Sequence, residues 1–220
     1  LYTYARSVSA HRVRIALNVK GIPFQAVFVQ PEHDRAPAAD TEFARLDPQG
    51  LIPLLVVNDK LTISQSSAII EYLEERYPER SLLPTNIDER AKVRSFAQVI
   101  IADIQPMNIL RAYHYLRDEL GADYAARRAY YEHYAHRGFA ALESLLTTSA
   151  YIPYDGGYCH GHRITLADVC LVPQVHNALS NKLDLTPYPT IRSIYNLCMT
   201  QAAFQASAPE TQPDIVDSAL

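Results

Sequence analysis

Apolar and polar positions first alternate over Leu1-Tyr2-Thr3-Tyr4, the two-residue period of a short strand. From Arg12 the period lengthens. Val13, Ala16, Leu17 and Lys20 share one helical face, and Gly21 with Pro23 behind it supplies the stop. Ser7 and Ser9 therefore sit at a strand-to-helix turn. A hydroxyl there can cap the helix, or donate to an anion held on the helix dipole, and spacing leaves both roles open. Phe24 to Val29 predicts a second strand, residues 30–40 a polar loop, and Thr41 to Leu46 a short helix ending at Asp47-Pro48.

The stretch Gly50 to Ala68 organises what surrounds it. Ile52-Pro53 precedes the apolar run Leu54 to Val57, Asn58-Asp59-Lys60 reads as a hairpin turn, and Leu61-Thr62-Ile63 as the return strand. After Ser64-Gln65-Ser66 the apolar spacing of Ala68, Ile69, Ile70, Tyr72 and Leu73 predicts a helix. Proline cannot donate to a sheet ladder, so Pro53 belongs at a strand's first residue or edge. A cis bond there would turn the backbone of Ile52 outward, one hairpin away from the N–H groups of a helix start and the Ser66 hydroxyl. Such a pairing offers an edge for an extended peptide and a pocket for its carboxylate. A hairpin feeding a capped helix explains the same residues.

Residues 1–77 thus read strand, helix, strand, helix, strand, strand, helix, a compact α/β layer whose first two strands run parallel. Pro78 to Asn86 reads as a linker, with 80–86 as the boundary segment. Beyond it the pattern is helical: Ile87 to about Asp118, broken at Pro106, then Ala122 to Leu146. Thr147 to Arg163 reads as an irregular surface loop. It contains Tyr158-Cys159-His160-Gly161-His162, whose thiol and two imidazoles suit a soft metal, but no second ligand cluster lies nearby and no metal is expected. Thr165 and Asp168 have capping-box spacing ahead of the apolar helix Val169 to Leu179, a structural role. A helix over Ile191 to Met199 and a proline-containing tail complete the chain.

Composition narrows the function classes. The 220 residues, 48% hydrophobic and 20% charged, can bury a substantial core in one or two domains. A net charge of −4 gives no electrostatic case for nucleic acid or an anionic membrane surface. No apolar run approaches a bilayer span, and the first ten residues have no secretory pattern. Three cysteines without tight spacing suit a reducing compartment.

Six motifs stand in one order over nearly the full length: ARSVSAHRVRIALNVKG (5–21), LDPQGLIPLL (46–55), ISQSSAIIEYLEE (63–75), DIQP (103–106), ITLADVCLVPQV (164–175) and DLTPYPTI (184–191). In these the chain resembles the cytosolic glutathione transferases, and within them the zeta class, which includes maleylacetoacetate and maleylpyruvate isomerases. The resemblance implies an α/β plus all-α fold. A thioredoxin-like domain (βαβαββα, 1–79) would bind glutathione, and an all-helical domain (87–220) would form the second-substrate site.

It further implies that Ile52 before cis-Pro53 pairs with the cysteinyl backbone of glutathione. Gln65 and Ser66 would hold the γ-glutamyl carboxylate, with Gln49, Gln105 and Val8 as further contacts. Ser7 matches the first serine of the class motif SSCS, and the chain reads Ser7-Val8-Ser9-Ala10 there, so Ser7 and Ser9 are the catalytic candidates. Arg6 and Arg111 match cations that receive an acidic substrate, and Ser180 falls where an arginine is common. The activity implied is glutathione-dependent cis–trans isomerisation of maleylacetoacetate-type diketo acids by reversible thiolate addition, in a cytoplasmic homodimer. The alternative is a transferase that conjugates or dehalogenates small electrophiles. Either way the partners are glutathione and a small acidic or electrophilic substrate.

Overall fold

A computed structural model describes residues 1–29, 42–148 and 154–215. The loop expected over 30–40, the expected helix start at Thr41, part of the 147–163 loop and the end of the tail lie outside the described residues. The chain forms two compact units, Leu1–Ser81 with Thr200–Leu220, and Leu82–Met199.

In the first unit the order is β1 (Tyr2–Thr3), α1 (Val8–Lys20), β2 (Val27–Phe28), α2 (Glu42–Leu46), β3 (Leu54–Asn58), β4 (Leu61–Ser64) and α3 (Ser66–Arg76). This is the βαβαββα order that the residue pattern predicts. The sheet runs β2-β1-β3-β4. The helical crossover makes β1 and β2 parallel, whereas β1/β3 and β3/β4 pair antiparallel, with Tyr2 opposite both Val27 and Leu54. The second strand is shorter than Phe24 to Val29, because only the edge residues Val27 and Phe28 join the ladder, and both stay exposed.

Helix α1 is buried on every side from Ala10 to Leu17, packed against α3 and the short C-terminal helix α9 (Ala202–Gln205). A single apolar stripe was therefore too narrow an expectation: Arg12 and Arg14 are enclosed as well, at 0% and 1% exposure. The helix stops at Gly21, where φ of 68° lets its N–H bond back to the Asn18 carbonyl. Just inside that stop, Lys20 Nζ meets Glu74 Oε1 of α3 at 2.6 Å and the Arg80 carbonyl at 3.0 Å, and Ser81 donates to the other Glu74 oxygen. Both charges are buried, so removing one alone would cost about 3 kcal/mol or more.

The second unit is helical: α4 (Ile87–Gln98), α5 (Leu110–Asp118), α6 (Tyr124–Thr147), α7 (Leu166–Ser180) and α8 (Pro189–Met199). The break expected at Pro106 is broader than one residue. A π-helical stretch (Val99–Ile104) and a 3₁₀ turn (Gln105–Asn108) precede an extended Ile109. The π stretch lies close to α6, and a Cβ on Gly138 would fall 2.2 Å from the Ile104 side chain, so glycine is what permits the approach. Helix α7 is buried nearly all round, as its apolar run predicts.

Among the described residues no helix is long and apolar enough to cross a membrane, and no group of three or more His, Cys, Asp or Glu could hold a metal ion. The Tyr158–His162 segment corrects its reading as a surface loop. Cys159 is fully buried, donating its N–H to Asp168 at 2.7 Å, while His160 bonds Glu89 at 2.5 Å and His162 pairs with Asp155. The capping carboxylate pulls the loop backbone inward, an interaction that a motif reading confined to the loop leaves out. All three cysteines are free and buried.

Candidate functional site

The candidate residues of the first unit lie on three structures: the turn before α1, the loop before β3, and the start of α3. In the first, Tyr4 to Ser7 forms a tight turn closed by the Ser7 N–H on the Tyr4 carbonyl (3.1 Å). Ser7 is the N-cap of α1, and its Oγ accepts the Ala10 N–H at 3.2 Å. Accepting at the oxygen leaves the hydroxyl hydrogen to donate elsewhere, so capping and anion binding, the two roles open from spacing, are compatible. Val8 and Ser9 follow in the first helical turn, half-buried, and Arg6 projects exposed from the outer side of the turn.

The second structure is the loop Asp47 to Pro53. Asp47 is buried, and its two carboxylate oxygens accept the N–H groups of Gln49 (3.2 Å) and Leu51 (3.0 Å). The cis Ile52-Pro53 bond follows directly after that clasp. β3 begins at Leu54, so Ile52 lies just outside the ladder. Sequence reasoning missed Asp47 as part of the site. The signal was present in Asp-Pro-Gln-Gly, an Asx-turn sequence.

The third structure is the start of α3. Gln65 is its N-cap with φ of 67° and ψ of 118°, a conformation costing a residue with a Cβ roughly 1–3 kcal/mol, and it makes no side-chain cap bond. The first-turn N–H groups of α3 therefore have neither helical nor cap partners. The Gln65 side chain instead donates to Gln49 Oε1 at 2.8 Å, which joins the second structure to the third. Ser66 is buried, and its Oγ accepts from Arg12 of α1 at 3.4 Å. A buried guanidinium under a helix N-terminus adds positive potential where the helix dipole already favours an anion.

Gln105 and Arg111 belong to the second unit, Gln105 half-buried in the 3₁₀ turn and Arg111 exposed in the first turn of α5. Within this unit Tyr113 lies against Tyr131, and burial pushes the Tyr113 phenol up to about 12.

The first unit therefore presents two helix starts with hydroxyls, one of them backed by a cation, and a residue just ahead of a strand ladder. Such helix starts can receive anionic groups of a ligand. Residues 6–76 match the family model for the glutathione S-transferase N-terminal domain. A probable maleylacetoacetate isomerase of Vibrio cholerae is 43% identical over 97% of this chain and 97% of its own length. The fold matches that of a maleylpyruvate isomerase, a bacterial zeta-class glutathione transferase in its holo form (42% identity, 98% of this chain and 99% of that one, TM-score 0.90). It also matches a maleylacetoacetate isomerase of Methylobacterium extorquens AM1 whose crystal structure holds malonate and glutathione (31% identity, 97% and 98%, TM-score 0.87).

Proposed function

The chain belongs to the zeta class of the glutathione S-transferase family, and from that premise we propose that it is a glutathione-dependent cis–trans isomerase of maleylacetoacetate-type diketo acids. The observation that carries the reading is the pair of open helix starts in the first unit. One is capped by a serine that keeps a hydrogen to donate, and the other is left uncapped above a buried arginine.

Glutathione supplies a thiolate that adds to the cis double bond and leaves once the bond has rotated, so the cofactor is regenerated. The chain's own residues bind and orient it. In this reading the uncapped α3 start, with Gln65 and Ser66, receives the γ-glutamyl carboxylate, and Gln49 holds Gln65 in place. Ile52 pairs by backbone with the cysteinyl portion beside Pro53. Ser7 donates to the sulfur, and the start of α1 adds its dipole, so both favour thiolate over thiol. Val8 offers a backbone N–H, and Ser9 a second polar group in the same turn.

Arg6 receives a carboxylate of the acidic substrate. The family resemblance gives Arg111 the same task and makes Gln105 a further glutathione contact. The same reading makes 1–79 the glutathione-binding domain and 87–220 the helical domain, with 80–86 between them, although the compact units group Thr200–Leu220 with the first. It also makes the protein a cytoplasmic homodimer.

The test is conversion of maleylacetoacetate, with maleylpyruvate in parallel, with and without glutathione. Turnover that requires glutathione supports the isomerase. Absence of turnover, while glutathione is still consumed by a haloacid or an aryl chloride, replaces it with a conjugating or dehalogenating transferase.

A further inference from the structure

The turn that presents Arg6 and Ser7 is held from its inner side by two residues distant in sequence. Arg14 is 1% exposed, and its guanidinium is spent almost entirely on backbone. Nη1 donates to the Tyr4 carbonyl (3.1 Å) and to Thr3 Oγ1 (2.9 Å), and Nη2 donates to the Ala5 carbonyl (3.0 Å). Nε donates to the Ser207 carbonyl (3.1 Å) in the C-terminal segment. The remaining polar group of this inner side, the Ala5 N–H, is taken at 2.9 Å by Asp214 Oδ2, from the same segment. The Asp214 charge faces Arg14. Burial holds the guanidinium down to about 10, and the carboxylate acts in the opposite direction. The backbone of Tyr4 and Ala5 is thus clasped between an arginine from α1 and an aspartate from far along the chain, two residues before Ser7.

We propose that Arg14 and Asp214 are positioning residues for Ser7, so that the C-terminal segment sets the geometry of the catalytic turn. The proposal rests on Ser7 being the group that stabilises the thiolate. On Tyr4 and Ala5 the clasp holds main-chain atoms, so it fixes where the turn sits and leaves the turn's side chains to the ligand. A serine that must place one hydrogen on a sulfur tolerates little drift. A displacement near 1 Å is enough to weaken catalysis without emptying the site.

A further residue of the same segment provides the control. Gln212 Nε2 braces the segment internally, on the Ala206 and Ala208 carbonyls (both 3.1 Å), and makes no bond to the turn.

The experiment titrates the thiol of glutathione bound to the full-length protein, by thiolate absorbance, alongside kcat and KM. Asp214→Ala should raise the apparent thiol pKa by about half to one unit and lower kcat about tenfold, with KM for glutathione changed less than about twofold. Asp214→Asn keeps an acceptor for the Ala5 N–H but no charge, and should give a smaller shift in the same direction. Gln212→Ala should lower the thermal midpoint and leave the thiol pKa where it was. An Asp214→Ala protein that loses thermal stability like Gln212→Ala while its thiol titrates and turns over as in the wild type would overturn the proposal. If Asp214→Ala does not fold, an Asp214→Asn protein indistinguishable from wild type in thiol pKa and kcat does the same. Ser7→Ala separates the layers: an unchanged thiol pKa there removes the role given to Ser7, whereas a raised one with unaffected Asp214 variants removes only the clasp.

Discussion

Two kinds of helix start occur in this protein, and they are used in opposite ways. At α7 in the helical unit, Asp168 accepts the Thr165 N–H (2.8 Å), the Thr165 hydroxyl (2.9 Å) and the Cys159 N–H (2.7 Å), all buried. The capping box and the Leu82 carbonyl, which takes the Leu166 N–H, occupy this end with the chain's own groups. At α3 the N-cap contributes no side-chain bond, and at α1 a single serine hydroxyl caps the end and keeps its hydrogen. Every helix start attracts an anion. Whether it becomes a site depends on whether the fold has already supplied one.

The largest effect that would sharpen this contrast belongs to the closed end. Asp168→Ala strands two buried N–H groups and should cost about 3 kcal/mol, read as a drop in thermal midpoint, with glutathione affinity unchanged in the protein that remains folded. At the open end the order reverses. Ser7→Ala should lower kcat for isomerisation about a hundredfold, by analogy with the loss of one donor to a developing anion. It should cost only about 1 kcal/mol of stability for the lost cap. If Ser7→Ala instead lost stability with full kcat, the two ends would not differ in kind.

The smallest effect concerns the loop that Asp168 draws inward. Hydrogen bonds from His160, then Lys92, hold the Glu89 carboxyl below the usual carboxylate range. A depressed carboxyl contributes stability that is present above its unfolded pKa and is lost as pH falls through its folded value. Below about pH 4.5 the thermal midpoint of the wild type should therefore fall more steeply than that of Glu89→Gln. The Glu89 side chain is 32% exposed and screened by solvent, so the difference amounts to about a few tenths of a kcal/mol.

Much of this was legible in the chain itself. The alternation at Tyr2, the Asn58-Asp59-Lys60 turn and the Gly21 stop place the βαβαββα order, and Thr165 with Asp168 announces a closed helix start. What was not legible needed partners distant in sequence. Arg12 and Arg14 fall outside the apolar face of Val13, Ala16 and Leu17, yet both are buried, with α3 and α9 packed against α1. Arg14 finds its acceptors on the first turn and on Ser207, and Asp214 meets Ala5 across most of the chain. No local period encodes such a pairing. Cys159 likewise falls in a segment that reads as a surface loop, while the carboxylate that buries its backbone belongs to the next helix.

The most direct test of the central claim is titration calorimetry of glutathione into the wild type and into Ser66→Ala. If the uncapped α3 start is the carboxylate site, glutathione binds the wild type, and Ser66→Ala, measured at a temperature where it is folded, weakens it about tenfold. Equal affinity in both proteins, or no binding to either, would contradict the assignment of that helix start to the cofactor.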